Sequence, residues 1–289
     1  MRALAACYAI PASLLAPLVN LRAAGELLSV LSRHRQLTWE MTKRELTERH
    51  AGQMIGSLWA IGHPMVVMAV YVFLFSFVFR GRVSSRGLAV PLDFTVYILS
   101  GLIPWLIFQD AINRATVAIS GNASLVKQVV FPIEILPTRT VLAVTITETL
   151  YVVLLATYVL LRFGTLPTSF MLVPLLMFTQ MAAMAGICFA VSAAGSYLRD
   201  LQEVVAVFGL VNIYLMPVVY LPDWVPQFVR PIMYLNPFSY MTWCYQDAIY
   251  FGRFEHPWAW VVFPLLSFGC FAWGYRLFRK LKTYFGNVL

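Results

Sequence analysis

The stretch Phe170–Ala194, FMLVPLLMFTQMAAMAGICFAVSAA, runs for 25 residues without a charged side chain. A helix needs about 20 apolar residues to cross about 30 Å of hydrocarbon, so this stretch reads as a membrane span. Five others read the same way: Leu58–Phe79, Phe94–Ile119, Thr140–Leu161, Val204–Tyr220 and Trp258–Leu277. The whole 289-residue chain agrees, being 60% hydrophobic and 12% charged with a mean hydropathy of +0.75. A soluble domain carries about 25% charged residues; half of that cannot cover a water-soluble surface. The expected fold is an all-α integral membrane protein with six transmembrane helices.

Orientation follows from lysine and arginine. With the N-terminus on the cytoplasmic side, 15 of the 21 basic residues fall inside: Arg2, Arg22, Arg33, Arg35, Lys43, Arg44, Arg49, Arg114, Lys127, Arg139, Arg199, Arg276, Arg279, Lys280 and Lys282. Arg80, Arg82, Arg86, Arg162, Arg230 and Arg253 fall outside. Basic residues concentrate on the cytoplasmic side, so both termini are expected there. The formal charge of +8 is spread along the flanks of the spans, which is a topology signal and no footprint for nucleic acid.

The residues outside the spans divide the chain. Residues 1–36 read as a flexible or interfacial extension; a cleaved signal or an additional span are the alternatives, with Pro11 and Pro17 interrupting the apolar run. Residues 37–63 read as an amphipathic helix on the cytoplasmic interface. Trp39, Leu46, Met54 and Leu58 share one face there, and Glu40–Arg44 and Glu45–Arg49 have acid-first i,i+4 spacing. Residues 64–289 form the transmembrane domain. Within it about 221–256 is apolar and aromatic but broken by Pro222, Pro226, Pro231 and Pro237. The unbroken pieces, Asp223–Val229 and Phe238–Phe251, are too short to span and read as two outer re-entrant half-helices, tolerated where protein or a wet cavity surrounds them.

Catalytic chemistry has little to stand on. A phosphate-binding loop needs a lysine behind a glycine-rich turn, and none of the four lysines follows a glycine. No GxSxG or HExxH occurs, and Cys7, Cys188, Cys244, Cys270 and the four histidines lack metal or disulfide spacing. No cofactor is expected in this chain. Without an internal repeat, a second copy is expected to complete any pathway.

Polar groups inside spans are few and therefore informative. Glu148 reads either as a contact in a pathway or as a hydrogen bond to a neighbouring helix, and Asp110 with Arg114 as a self-neutralising i,i+4 pair. Tyr97, Trp105, Phe108, Tyr151 and Tyr158 are candidates to line a path for sugars, since aromatic faces pack on the C–H faces of pyranoses. Lipid or core packing competes with that role at each position.

Three stretches carry a resemblance. KRELTERHAGQMIGSLWAIGHP (Lys43–Pro64), YILSGLIPWLIFQDAINRATVAISGNASLVKQVVFPIEILP (Tyr97–Pro137), and YLRDL (Tyr197–Leu201) with MPVVYLP (Met216–Pro222) and YLNPFSY (Tyr234–Tyr240) resemble the permease subunits of type-2 ABC exporters of O-antigen, capsule or teichoic-acid chains. His50 stands where an aromatic is usual in that pattern. The resemblance implies a multi-pass protein of the bacterial cytoplasmic membrane, a homodimer with two copies of a cytoplasmic ATPase that binds ATP and Mg, and passage of a lipid-linked polysaccharide. A permease for a small lipid, drug or lipo-oligosaccharide is the alternative, and a membrane-embedded transferase the less favoured one. It further implies an ATPase-coupling element at Asn122, Leu125, Lys127, Val130, Phe131, Pro132 and Glu134. The interface helix with Trp39, Lys43, Arg44, Glu45 and Leu46 would touch the ATPase, and an outer gate would sit at Pro222, Pro231, Pro237 and Tyr240.

Overall fold

In the computed structural model the described residues are 17–49, 56–78, 92–128, 131–198, 200–283 and 285. Residues 1–16, residues 50–55 of the expected interface helix, Arg80, Arg82 and Arg86, Val130 and Arg199 lie outside them. The described residues are helical and turn, with no strand among them. The helices are α1 (Pro17–Arg33), α2 (Arg35–Glu48), α3 (Trp59–Phe73), α4 (Phe94–Val117), α5 (Ala123–Gln128), α6 (Ile135–Phe163), α7 (Val173–Gly195), α8 (Leu201–Leu215), α9 (Arg230–Leu235), α10 (Pro237–Gln246) and α11 (Ala259–Lys282). Among the described residues five helical stretches are long and apolar enough to cross a bilayer: Ile61–Val78, which is most of α3 with a π-helical turn, Phe94–Val117, Ile135–Phe163, Thr168–Gly195 and Ala259–Lys282.

The remaining expected span, Val204–Tyr220, is shorter than its hydropathy suggests. Its helix α8 stops at Leu215. Pro217 follows, and the residue before a proline is pushed to extended backbone; Met216 adopts φ −109°, ψ 154°. Fifteen residues rise about 22 Å at 1.5 Å each, less than the hydrocarbon thickness. The third span moves the other way, starting at Ile135 instead of Thr140. Pro137 sits among the first four residues of α6, whose N–H groups have no helical partner in any case. That helix ends at Gly164, whose φ of 77° is left-handed and whose N–H bonds the Leu160 carbonyl at 2.9 Å. At the other end of the chain α11 continues to Lys282 through Arg279 and Lys280, cations that suit a helix C-terminus.

Helix α4 is the centre. Eighteen of its 24 residues are buried, against 11% in the Ile61–Val78 span. It packs against α6, α7, α8 and α10. The tightest crossing lies between α7 and α11, where a Cβ on Gly274 would stand 1.9 Å from the Gly186 carbonyl oxygen. Bilayer helices gain little from apolar contact alone, and small residues let backbones approach for dispersion contact.

The connections gather on two faces. On one lie α1, α2, the link between α4 and α6 that contains α5, the end of α7 and the end of α11, joined through Leu27, Ile119, Phe278 and Phe285 and through Met41, Ile135 and Leu136. On the other lie the 164–172 turn and residues 216–258, joined by Ser169 Oγ donating to the Ala248 carbonyl at 2.9 Å and by Phe94 against Trp224 at 5.6 Å.

The α7–α11 crossing is the place to test packing. Replacing Gly274 with leucine should lower the unfolding free energy of the detergent-purified protein by about 1–3 kcal/mol or more, as overpacking does. Gly269→Ala, where the added carbon meets nothing within 4 Å, should stay within about 0.5 kcal/mol. Equal melting of the two variants would contradict the close crossing.

Candidate docking and translocation sites

The link between α4 and α6 forms the first candidate site. Asn122 Nδ2 donates to the Ala118 carbonyl at 2.9 Å and tightens the turn that leads into α5. Lys127 is exposed, while Leu125 and Phe131 are half-buried against Met41 of α2 and Ile135 and Leu136 of α6. One side of the link rests on the interface helix, and the remainder of Leu125, Pro132 and Phe131 is open. Glu134, expected in the coupling element, is buried, and both its oxygens accept from Lys282 Nζ, at 2.8 and 3.0 Å.

The interface helix α2 ends at Glu48, short of the expected 37–63. Its buried side is Thr38, Met41 and Thr42, while Trp39 is half exposed with Lys43 Nζ 5.9 Å from its ring centroid; Leu46 is only partly covered. The expected acid-first pairs do not form. Lys43 bonds Glu40 at 2.7 Å and Arg44 bonds Glu48 at 2.6 Å, both on the exposed side. Glu45 and Arg49 turn inward instead. Glu45 pairs with Arg139 of α6 at 3.0 Å, and Arg49 donates to Asp110 of α4 and to Thr147 Oγ1 at 3.0 Å. Arg114 Nε also donates to Asp110, at 2.9 Å. The self-neutralising pair in α4 is thus present but shared: one carboxylate accepts from two guanidinium groups and ties α2 to the central helix. A partly desolvated carboxylate benefits from both. The sequence offers no sign of this, since the partners are 61 and 94 residues apart.

The pathway candidates fall in two groups. Tyr97, Trp105 and Phe108 are enclosed by the chain's own helices. Trp105 and Phe108 meet Phe238 edge-on at 5.2 and 5.1 Å. Tyr97 Oη donates to the Pro217 and Tyr220 carbonyls at 3.1 and 3.2 Å. Within one protomer these three are packing and bonding groups. Tyr151 and Tyr158 face the loosely packed first span, with Tyr151 Oη 3.3 Å from His63 Nδ1 and Tyr158 Oη 3.4 Å from Ser76 Oγ. Glu148 is fully buried; its Oε1 accepts from Tyr245 Oη at 3.1 Å, and Gln180 approaches the same carboxyl. The hydrogen-bond reading of Glu148 is therefore the one the geometry displays, linking α6 to α10.

The outer segment departs from the expected pair of half-helices in its first half. Asp223–Val229 is not a helix; a 3-10 turn covers Pro222–Trp224, and α9 begins at Arg230. The prolines start elements and do not break them: Pro222, Pro231 and Pro237 each occupy a first or second helical position, where a missing N–H costs nothing. The second piece forms as α10 with a π-helical turn to Phe251 and is almost wholly buried. Asn236 caps it, its Oδ1 accepting from the Phe238 N–H at 3.0 Å, and its Nδ2 donates to Asn212 of α8 at 2.7 Å. Tyr240 Oη donates to the Tyr234 carbonyl at 2.7 Å. Sequence reading passes over Asp247, which accepts from the His256 N–H and Nδ1, both at 2.9 Å, and from Trp260 Nε1 at 3.1 Å. A lone carboxylate in an apolar aromatic run is a signal in itself, because it must find donors.

Among the described residues the chain is an all-helical membrane domain whose central helix carries an interface helix at one end and a proline-framed, buried segment at the other. Residues 36–250 match the family of ABC-2 type transporters, and the chain belongs to it. It is 24% identical over 253 residues to the O-antigen export system permease protein RfbA of Klebsiella pneumoniae, covering 86% of this chain and 93% of that one. It is 29% identical over 233 residues to RfbA of Myxococcus xanthus, covering 78% and 85%. Against the polysialic acid transport protein KpsM of Escherichia coli it is 29% identical over 113 residues, 39% of this chain and 42% of that one.

The Tyr245–Glu148 bond sets an expectation. Tyr245→Phe removes the donor and leaves a buried acceptor unsatisfied, which costs about 1–3 kcal/mol. Glu148→Gln keeps an acceptor oxygen and should cost less. Thermal unfolding of the purified protein checks this; a Tyr245→Phe variant as stable as the parent would show that the bond contributes nothing.

Proposed function

We propose that this chain is the membrane subunit of an ATP-driven exporter that moves a lipid-linked polysaccharide across the bacterial cytoplasmic membrane. It works as a homodimer with two copies of a cytoplasmic ATPase subunit, which supplies ATP and Mg binding. The observation that carries the reading is the likeness, along most of both chains, to proteins named as O-antigen export permeases. None of the four lysines follows a glycine, as a phosphate-binding loop would require, which supports nucleotide binding by a separate subunit.

The face holding α1, α2, the α4–α6 link and the end of α11 is taken as cytoplasmic, because the basic residues expected inside gather there. The opposite face, with residues 216–258, then lies outside. Apolar faces without intramolecular cover leave room for a second copy beside lipid, among them Met65, Val66, Val70 and Phe77 on the first span and Val207, Leu210, Val211 and Tyr214 on α8. The α4–α6 link is the docking element for the ATPase. Its half-open apolar side fits a contact surface, and it rests directly on α2 and α6, so a push on it reaches the spans.

In membranes containing the chain and its ATPase, Phe131→Ala should weaken ATPase capture by roughly 2 kcal/mol, as loss of a buried aromatic anchor does, with a parallel fall in glycan export. Lys127→Ala, an exposed charge, should cost no more than about 1 kcal/mol. Wild-type capture and export by Phe131→Ala, at normal membrane levels, would remove the link from the mechanism.

A further inference from the structure

The matched family region ends at residues 36 and 250, yet the helices just outside it at both ends, α1 and α11, meet behind the docking link. Leu27 of α1 is buried in one apolar cluster with Ile119, which precedes the link, and with Tyr275 and Phe278 of α11; Val126 and Ile133 of the link pack on that cluster. Two ion pairs frame it. Arg279 of α11 pairs with Glu26 of α1, and Lys282 holds both oxygens of Glu134 in the link. Tyr197 Oη donates to the Leu281 carbonyl at 3.3 Å, tying the last turn of α11 to the end of α7.

We propose that α1 and the last turns of α11 form a brace that positions the docking link, so that displacement of the link is delivered to the spans and not absorbed as a local bend. The proposal rests on the docking reading above. Its physical basis is geometric. The link meets the interface-helix cluster through Leu125, Val126, Phe131 and Ile133, and the brace through Val126, Ile133 and Glu134, so Val126 and Ile133 touch both. Packed side chains and ion pairs of this kind have little room to yield. The brace continues without a break into the close α7–α11 crossing at Gly186 and Gly274. Leu27 and Lys282 are thus positioning residues; the ATPase contact itself belongs to the open side of the link.

The test uses the full chain with its co-expressed ATPase in membranes. Three quantities are read: ATPase captured, ATP hydrolysed, and glycan delivered to the outer surface. Leu27→Asp puts a carboxylate into the apolar cluster, and Lys282→Glu reverses the partner of Glu134; Leu27→Met and Lys282→Arg are the conservative counterparts. With a brace, the Asp and Glu variants capture ATPase at the wild-type level, while glycan delivered per ATP falls about two- to thirtyfold, the span by which mutations along a coupling network act. The Met and Arg variants keep the wild-type ratio. If Leu27→Asp fails to reach the membrane, Lys282→Glu, whose side chain is 35% exposed, decides the question. An unchanged ratio in the Asp and Glu variants overturns the proposal. So does loss of ATPase capture, because the ends would then be part of the docking surface. Full capture by Phe131→Ala in the same assay would overturn the docking reading itself, a separate outcome.

Discussion

A helix buried on nearly every side in a bilayer protein must have its polar groups, and those of the irregular backbone around it, satisfied by neighbours, since no water is at hand. Helix α4 meets this constraint at several levels. Near its outer end Tyr97 donates to the carbonyls of Pro217 and Tyr220, left open where α8 stops short, and Gln246 of α10 donates to Pro217 as well, at 2.8 Å. At mid-length the Pro104 carbonyl accepts from Gln180 of α7 at 3.1 Å. Further in, Gln109 Nε2 donates to the Val205 carbonyl of α8 at 2.9 Å, and Asp110 accepts from Arg49 and Arg114. From α4 these bonds reach the segment after α8, α7, α8 itself and the end of α2, so α4 joins the interface helix to the 216–258 segment.

That arrangement accounts for the uneven packing of the rest. The elements bonded to α4 are ordered around it, whereas the first span has a thin apolar contact and touches the body through polar tips such as His63 with Tyr151 and Ser76 with Thr95 at 2.9 Å. The first span and α8 have apolar faces open to lipid or to a second copy, and parts of α6, α7 and α11 are open as well. On the face that holds α1 and α2, the α4–α6 link is enclosed by α2, α1 and the last turns of α11, and these supports lead back into the spans. The coupling proposed above would draw on such stiffness.

Much of this is legible in the residues. Five of the six expected spans appear within a few residues, because charge-free apolar runs of this length have one stable place. The departures cluster at prolines. Pro137 reads as a boundary but sits harmlessly in a first turn, Pro217 ends α8 earlier than hydropathy alone suggests, and Pro231 begins a helix just after Asp223–Val229, the piece expected to be one. Charge pairing is the least legible feature. Local spacing favours Glu40–Arg44 and Glu45–Arg49, but Glu45 and Arg49 have stronger, less solvated partners in Arg139 and Asp110, and sequence spacing carries no information on such distant contacts. The burial of Glu134 is hidden for the same reason, its partner Lys282 lying 148 residues on.

Coupling as described here depends on the link between α4 and α6 receiving the ATPase on its open side. A photo-cross-linking amino acid in place of Phe131, irradiated in intact membranes that contain both subunits, probes that contact without an intermediate step. An adduct with the ATPase is expected from position 131 and none from position 254 on the opposite face. An adduct from 254, or none from 131 while the two subunits still purify together, would refute the assignment.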